Sequence, residues 1–388
     1  MTTENVSAVV LAAGEGRRLE PLTNRRPKPM VPVANRPILE YVVSAIADAG
    51  IDRIVLVVGY QQERIRNHFG DGDDWGIDIE YVVQQKQLGT AHAVLQAEPA
   101  ISDSFLVLNG DRIVDSSLVE RVRNEIVTAD GPVMAVSRTD RASDYGVVAV
   151  ADGRVTEIDE KPTAPISSEL INAGVYGFEP SVFDAIRSTP TDRGELAITT
   201  TLEQMAASQP IQAVRYRGLW LDVSHLWDLL DVNAAVIDSA DRNSNPRTET
   251  ATAPDTTIGV DVTIGPNATV GGSTAIGDNV TIESNAVLSN AVVFADAVVE
   301  SGAVVRDAVV AGNATIGANA TIAGGPTRMV VDGDVYDDVD FGAVVGDNTT
   351  VGSGATVSPG TVLGDGATVD HGASVDGRIE PDAIVRRG

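Results

Sequence analysis

A basic, glycine-bearing stretch stands near the N-terminus. Residues 11–30 read LAAGEGRRLEPLTNRRPKPM, with two glycines, four arginines, one lysine and three prolines. The chain as a whole is acidic, with 55 Asp and Glu against 28 Lys and Arg. After an apolar run, such a loop lets backbone amides approach an anion while the arginines hold its charge. It is not a Walker loop, because no Gly-Lys-Ser/Thr follows, and Leu19 stands where the third glycine of a dinucleotide fingerprint belongs. Pro27 and Pro29 fix the backbone on both sides of Lys28, which suits an ammonium aimed at one place. Lys28, Lys86 and Lys161 are the only lysines of the chain, and a specific task is expected of Lys28 and Lys161. The chemistry open to this loop is polyphosphate binding. Asp111, which closes FLVLNGD, could hold a hard cation there or cap a turn.

Further fragments follow in order. They are Gln84-Gln85-Lys86-Gln87-Leu88-Gly89-Thr90, Asn109-Gly110-Asp111, Tyr145-Gly146-Val147, Glu160-Lys161-Pro162, Asn172-Ala173-Gly174, Gly194-Glu195-Leu196 with Thr199, and Trp220-Leu221-Asp222-Val223. Together with the loop, this set resembles the sugar-1-phosphate nucleotidylyltransferases, whose signature is L-A-A-G-x-G-T-R-L-x-P-x-T followed by P-K-P. Arg17 stands in place of the usual Thr, while Arg18 and Lys28 match the family arginine and lysine. The resemblance covers roughly the first 230 residues.

The resemblance implies catalytic roles for Arg18 and Lys28. It implies nucleotide binding by Leu11, Ala12, Ala13, Gly14, Gly16, Gln84, Gly89 and Thr90. Sugar-phosphate binding falls to Gly146, Glu160, Lys161, Asn172 and Glu195, and Mg²⁺ binding to Asp111 and Asp222. The implied reaction joins UTP or dTTP to glucose-1-phosphate or N-acetylglucosamine-1-phosphate, releasing pyrophosphate and forming a nucleoside-diphosphate sugar. Segment 84–90 is nearest the uridylyltransferase form Q-x-x-Q-L-G-T. His68, His92 and His225 fit no metal-ligand spacing and read as structural, and Lys86 as a solvated loop charge.

The elements that must position these residues alternate. Apolar runs at 7–12, 53–59 and 105–110 read as buried parallel strands. Between the first two, ILEYVVSAIADAG places Ile38, Val42, Ala45 and Ile46 on one helical face and ends at Gly50. This predicts a Rossmann-like doubly wound α/β nucleotidyltransferase domain over residues 1–238, with ligand at the C-terminal ends of the strands. Residues 239–254 read as a polar linker. From 255 to 388 an apolar residue recurs every six positions (Ile258, Ile264, Val270, Ile276, Ile282, Leu288, Phe294), slips phase, resumes at Val298, and returns from Val345 to Val375. That period predicts a parallel β-helix, with residues 324–344 leaving it as a loop and the Asn-x-Thr triplets at its corners.

A nucleotidylyltransferase followed by a hexapeptide β-helix is similar to the bifunctional N-acetylglucosamine-1-phosphate uridylyltransferase/glucosamine-1-phosphate acetyltransferases. The likeness implies a left-handed, trimeric β-helix and, as an alternative function, transfer of acetyl from acetyl-CoA. That transfer needs a general base. Residues 251–388 contain no lysine, one histidine (His371) and one tyrosine (Tyr336), so a trimerising or regulatory role is expected instead. A non-catalytic regulatory subunit is the second alternative; the presence of Arg18, Lys28, Asp111, Lys161 and Asp222 argues against it.

Composition bounds the rest. Residues 251–388 carry 18 acids and 5 bases (−13), and the remainder 37 and 23 (−14), so the charge is spread along the chain. An even acidic field disfavours nucleic acid or an anionic membrane as partner. There are no cysteines, no bilayer-length apolar run and no basic leader, so a cytoplasmic protein is expected. Arginine outnumbers lysine 25 to 3, and this acidic, lysine-poor composition is expected of a halophile.

Overall fold

The computed structural model describes residues 6–139, 141–160, 168–191, 194–241 and 255–388. Lys161 and most of the expected linker lie outside these residues. The chain divides into two compact bodies. One comprises residues 6–15, Pro27–Met30 and Ile38–Asp222; the other comprises Gly16–Arg26, Val31–Pro37 and the chain from Val223 onward.

The first body is built on a nine-stranded sheet. Asp78–Val83, Arg53–Val58, Ser7–Ala12 and Phe105–Asn109 lie parallel and side by side. Leu170–Phe178 joins Phe105–Asn109 antiparallel and leads to a mixed half made of Val133–Arg138, Ile211–Arg215, Arg154–Glu160 and Gly146–Ala151. The central strands are continuous apolar runs because helices cover both faces. Ala8, Val10, Leu56 and Leu108 point into one apolar cluster, while Val9, Val55, Val57 and Val107 point into the other. The helix Ile38–Asp48 buries Ile38, Leu39, Val42, Val43, Ala45 and Ile46, a wider stripe than the four residues expected. Gly50 follows it with φ +74°, the left-handed turn that ends the helix.

The second body is a parallel β-helix. Thr256–Ile258 stacks on Thr274–Ile276 and Thr263–Ile264 on Thr281–Ile282, a rise of eighteen residues, or three hexads, per coil. The phase slip is a shortening of the coil. Val287 pairs with Val304 and Thr281 with Val298, seventeen residues on. Asn267, Asn279, Asn285, Asn313, Asn319 and Asn348 turn corners at φ between 56° and 61°, a conformation asparagine tolerates well. Residues 326–340, expected as a loop, form a hairpin of Pro326–Val331 and Asp334–Asp340. Asp332 and Gly333 turn it with φ 53° and 91°, and stacking then resumes, Thr321 pairing with Thr356. Alanine and aliphatics form its apolar core, with Ala286, Ala297, Ala303, Ala314 and Ala320 fully buried beside Ile282, Val299, Val305 and Ile316. Among the described residues no helix is long and apolar enough to cross a membrane.

Candidate active site

The first body brings together residues far apart in sequence at the C-terminal ends of its parallel strands. Lys28 opens a short 3₁₀ turn, Lys28–Met30, locked by Pro29. Its ammonium stands 2.7 Å from Asp111 Oδ2 and 3.6 Å from Asp222 Oδ1. Asp111 follows the strand Phe105–Asn109. Gly110 is required before it, since a Cβ there would lie 2.9 Å from the Leu11 carbonyl that its own N–H meets. Asp222 arrives on a two-stranded pair, Arg112–Val114 with Trp220–Asp222, in which Asp222 and Arg112 are register partners.

Charge at this point is balanced. Burial would raise the Asp111 carboxyl, but the Lys28 ammonium and Arg112 guanidinium override it and hold it well below the usual carboxylate range. Burial lowers the Lys28 ammonium, and Asp111 restores part of the loss. Asp222 is ion-paired with Arg112 and accepts from Tyr145 Oη at 3.1 Å. Arg112 was not foreseen from the sequence, and nothing local could have found it, because its partner is 110 positions away.

The carboxylates fit the expected Mg²⁺. They already share one cation, Lys28, and both are hard oxygen donors. Among the described residues no group of three or more His, Asp or Glu could form a protein-only cage. Two carboxylates, with phosphates and water completing the shell, is the set that Mg²⁺ prefers.

Beside this quartet lies a cavity of about 310 Å³, lined in part by Leu11, Ala13, Gly14, Lys28, Gln84, Gly89, Thr90, Asp111 and Glu195. Ala12, between two of the lining residues, is buried in the core. The segment 84–90 is tied down from several sides. Gln84 Nε2 donates to the Gly89 carbonyl (3.2 Å) and pairs with His92 Nδ1 (2.9 Å), so both amide hydrogens are spent holding the loop. Gln87 Nε2 donates to the Ala13 carbonyl (2.7 Å), and Leu196 N to Leu88 O (2.7 Å). Gly89 takes φ +98°, and a Cβ there would meet Leu196 O at 2.5 Å. Thr90 Oγ1 accepts from Ile198 N, at the start of the helix Ile198–Ala206. His92 is therefore structural, as expected, but its work is to orient Gln84.

The sugar-side residues form a second cluster. Gly146 and Glu160 are register partners, and a Cβ on Gly146 would sit 2.8 Å from Glu160 Oε2 and 3.8 Å from Asn172 Cβ. Asn172 Nδ2 donates to Tyr176 Oη (2.7 Å), and its Oδ1 accepts from Gly174 N (2.9 Å). Gly174 has φ +72°, and a Cβ there would collide with Asn109 Nδ2 at 2.6 Å. Glu195 lines the cavity with Gln84 and Gly89.

Gly16 and Arg18 belong to the second body. There Gly16 turns at φ +73° and its carbonyl accepts from Thr23 Oγ1 (2.9 Å). Part of the basic loop's charge is engaged within the second body. Arg18 Nε pairs with Asp332 at the hairpin turn (2.8 Å), and Arg26 with Asp347 (2.8 Å). Arg26 also lies over the Phe294 ring, 4.8 Å from its centroid, and Asn24 donates to Asp365 (3.1 Å). Lys86 is exposed, as expected.

The nucleotidyl transferase family model matches residues 7–239, a GMPPB C-terminal domain model matches 252–341, and a hexapeptide repeat of succinyl-transferase matches 342–376. The bifunctional protein GlmU of Methanococcus maripaludis is 39% identical over 231 residues, 59% of this chain and 54% of that protein. The chain thus spans about half the length of such relatives. The UTP–glucose-1-phosphate uridylyltransferase AglF of Haloferax volcanii is 39% identical over 226 residues, 57% of this chain and 92% of AglF. A Bacillus anthracis chain described as a glucose-1-phosphate thymidylyltransferase matches with TM-score 0.55 and 27% identity, over 63% of this chain and 98% of that one.

Proposed function

The chain belongs to the nucleotidyl transferase family, and from that premise we propose that it transfers a nucleotidyl group from UTP or dTTP to a sugar-1-phosphate. Glucose-1-phosphate and N-acetylglucosamine-1-phosphate are the candidate acceptors. The observation that carries the reading is Lys28, whose ammonium touches both Asp111 and Asp222 at the edge of the cavity lined by Gln84, Gly89 and Glu195.

A phosphate oxygen of the sugar-1-phosphate attacks the α-phosphorus, and the bond to the β-phosphate oxygen breaks, releasing pyrophosphate. The attacking phosphate monoester has a second pKa of about 6, so it is ionised at neutral pH and needs no general base. Catalysis is then positioning and charge neutralisation. Lys28 holds the α-phosphate as charge builds on its oxygens. Arg18 and the amides of residues 14–18 take the charge of the leaving pyrophosphate, an assignment that rests on the motif. Gln84, Gly89 and Thr90 hold the base, while Gly146, Glu160, Asn172 and Glu195 hold sugar hydroxyls. Lys161, outside the described residues, would orient the sugar phosphate. Mg²⁺ on Asp111 and Asp222 would supply further neutralisation of phosphate charge.

The β-helix suits self-association, and a homotrimer in a salt-rich cytoplasm fits the hexapeptide repeats and the composition. The decisive assay is pyrophosphate release over a grid of nucleoside triphosphates and sugar-1-phosphates, in KCl. Release from UTP or dTTP with one of the two acceptors is expected. Silence across the grid, from a folded protein supplied with Mg²⁺, would overturn the proposal.

A further inference from the structure

Arg112 has no part in the transfer step, yet it stands beside both carboxylates of the site. Its guanidinium is ion-paired with Asp222, the two side chains being 16% and 1% exposed. The Tyr145 and Trp220 rings pack edge to face beside it, with centroids 5.7 and 5.5 Å from its central carbon. Arg112 Nε is buried with no acceptor among the described residues. The strand pairing gives Arg112 little choice of place, since Arg112 lies directly across from Asp222.

Two carboxylates and two cations, Asp111, Asp222, Lys28 and Arg112, therefore form a neutral quartet. A quartet of zero net charge exerts little attraction on a lone divalent ion, and two fixed cations within a few ångströms repel it. Phosphates change that balance, because they bring the negative charge that the two cations can accept. Arg112 is the member fitted to change partners. Its planar fork of donors matches a phosphate as well as a carboxylate, and one donor is already buried without an acceptor.

We propose that Arg112 is a displaceable counter-ion. It holds Asp222 until metal and phosphates are taken up together, and then turns its donors to a substrate phosphate. Metal binding and phosphate binding are thereby coupled. The proposal rests on the nucleotidyl-transfer reading for the identity of the phosphates, but its test needs no turnover.

The test is Mn²⁺ binding, followed by electron paramagnetic resonance in KCl, with no nucleotide present. Wild-type protein should bind Mn²⁺ weakly. Arg112→Met should bind it about tenfold more tightly or better, because a fixed cation beside the site is removed, and Arg112→Lys should stay near wild type. A merely structural loss would weaken the metal, so tightening is diagnostic. Wild type alone gives a second reading that survives a misfolded variant: inorganic pyrophosphate should raise its Mn²⁺ affinity about tenfold or more, within the usual range of coupling between two ligands. Unchanged or weaker Mn²⁺ binding in folded Arg112→Met, or no effect of pyrophosphate on wild type, overturns the proposal. The pyrophosphate-release grid judges the functional reading separately, so either can fail alone.

Discussion

Arg26 donates twice from one guanidinium nitrogen to the Asp347 carboxylate, at 2.8 and 3.1 Å. The two side chains are 14% and 5% exposed, and Gly312 N donates to the same carboxylate at 3.0 Å. Removing one member of such a pair leaves a buried charge uncompensated, which costs roughly 3–5 kcal/mol. Asp347→Ala should accordingly lower the urea midpoint of the β-helix body strongly, with Asp347→Asn intermediate. A midpoint that hardly moves would show that Arg26 finds water or another carboxylate instead.

The metal carboxylates give the next prediction. Asp111→Asn and Asp222→Asn keep side-chain size but remove an ionised oxygen donor. Each should lower turnover by orders of magnitude at saturating Mg²⁺ while the far-ultraviolet circular dichroism stays unchanged. Near-normal turnover in either would remove that residue from the metal site. Asp222→Asn also frees Arg112 from its partner, so it should be the less stable of the two.

Lys28→Met should reduce kcat far more than it raises KM. Its ammonium is needed most when charge spreads over the α-phosphate, an interaction stronger in the transition state than in the bound substrate. A variant with raised KM and intact kcat would make Lys28 a binding residue only.

The pH profile separates substrate from protein. Asp111 is held below its ordinary value, so its ion pair contributes stability above the unfolded carboxyl pKa of about 3.9 and loses it as pH falls through the lower folded value. It stays ionised throughout the neutral range. An acid limb in kcat/KM near pH 6 should therefore belong to the sugar phosphate, whose second pKa is about 6. A sugar-phosphate analogue with a lower second pKa should move that limb downward. A limb that does not follow the analogue would belong to the protein. Lys28 is lowered by burial, so its charge, and activity with it, should be lost on the alkaline side before an ordinary lysine would titrate.

Much of this was legible in the sequence because the relevant physics is local. Six-residue spacing specifies a β-helix coil whatever surrounds it, and even the phase slip has a local cause, a coil of seventeen residues instead of eighteen. The hairpin at 326–340 was also readable, since Asp332-Gly333 is the dipeptide that favours such turns. Motif residues Lys28, Asp111 and Asp222 do converge. What the sequence hid was the division of charge. Arg18 and Arg26 pair with Asp332 and Asp347, more than 300 positions away, and no spacing rule marks those partners among 55 acidic residues. Arg112 was hidden for the same reason.

The last prediction concerns the β-helix itself. Glucosamine-1-phosphate and acetyl-CoA should give little or no acetylated product, because deprotonating the amine needs a base and the β-helix offers one imidazole. His371 lies at a corner and is exposed, and its Nδ1 accepts from Ser353 N at 2.9 Å. That bond ties one ring nitrogen to the coil below and leaves Nε2 as the protonated tautomer when the ring is neutral. A neutral imidazole in that state has no lone pair free to take a proton from an amine. Tyr336, the only tyrosine after residue 250, is engaged with His225, 3.2 Å from ring Nε2 to phenol oxygen. The measurement is thiol release from acetyl-CoA with and without the amino sugar, in KCl. Release that disappears in His371→Ala would show that the Ser353 bond opens and that the protein carries two activities. Release that survives the substitution would place the base elsewhere in the chain.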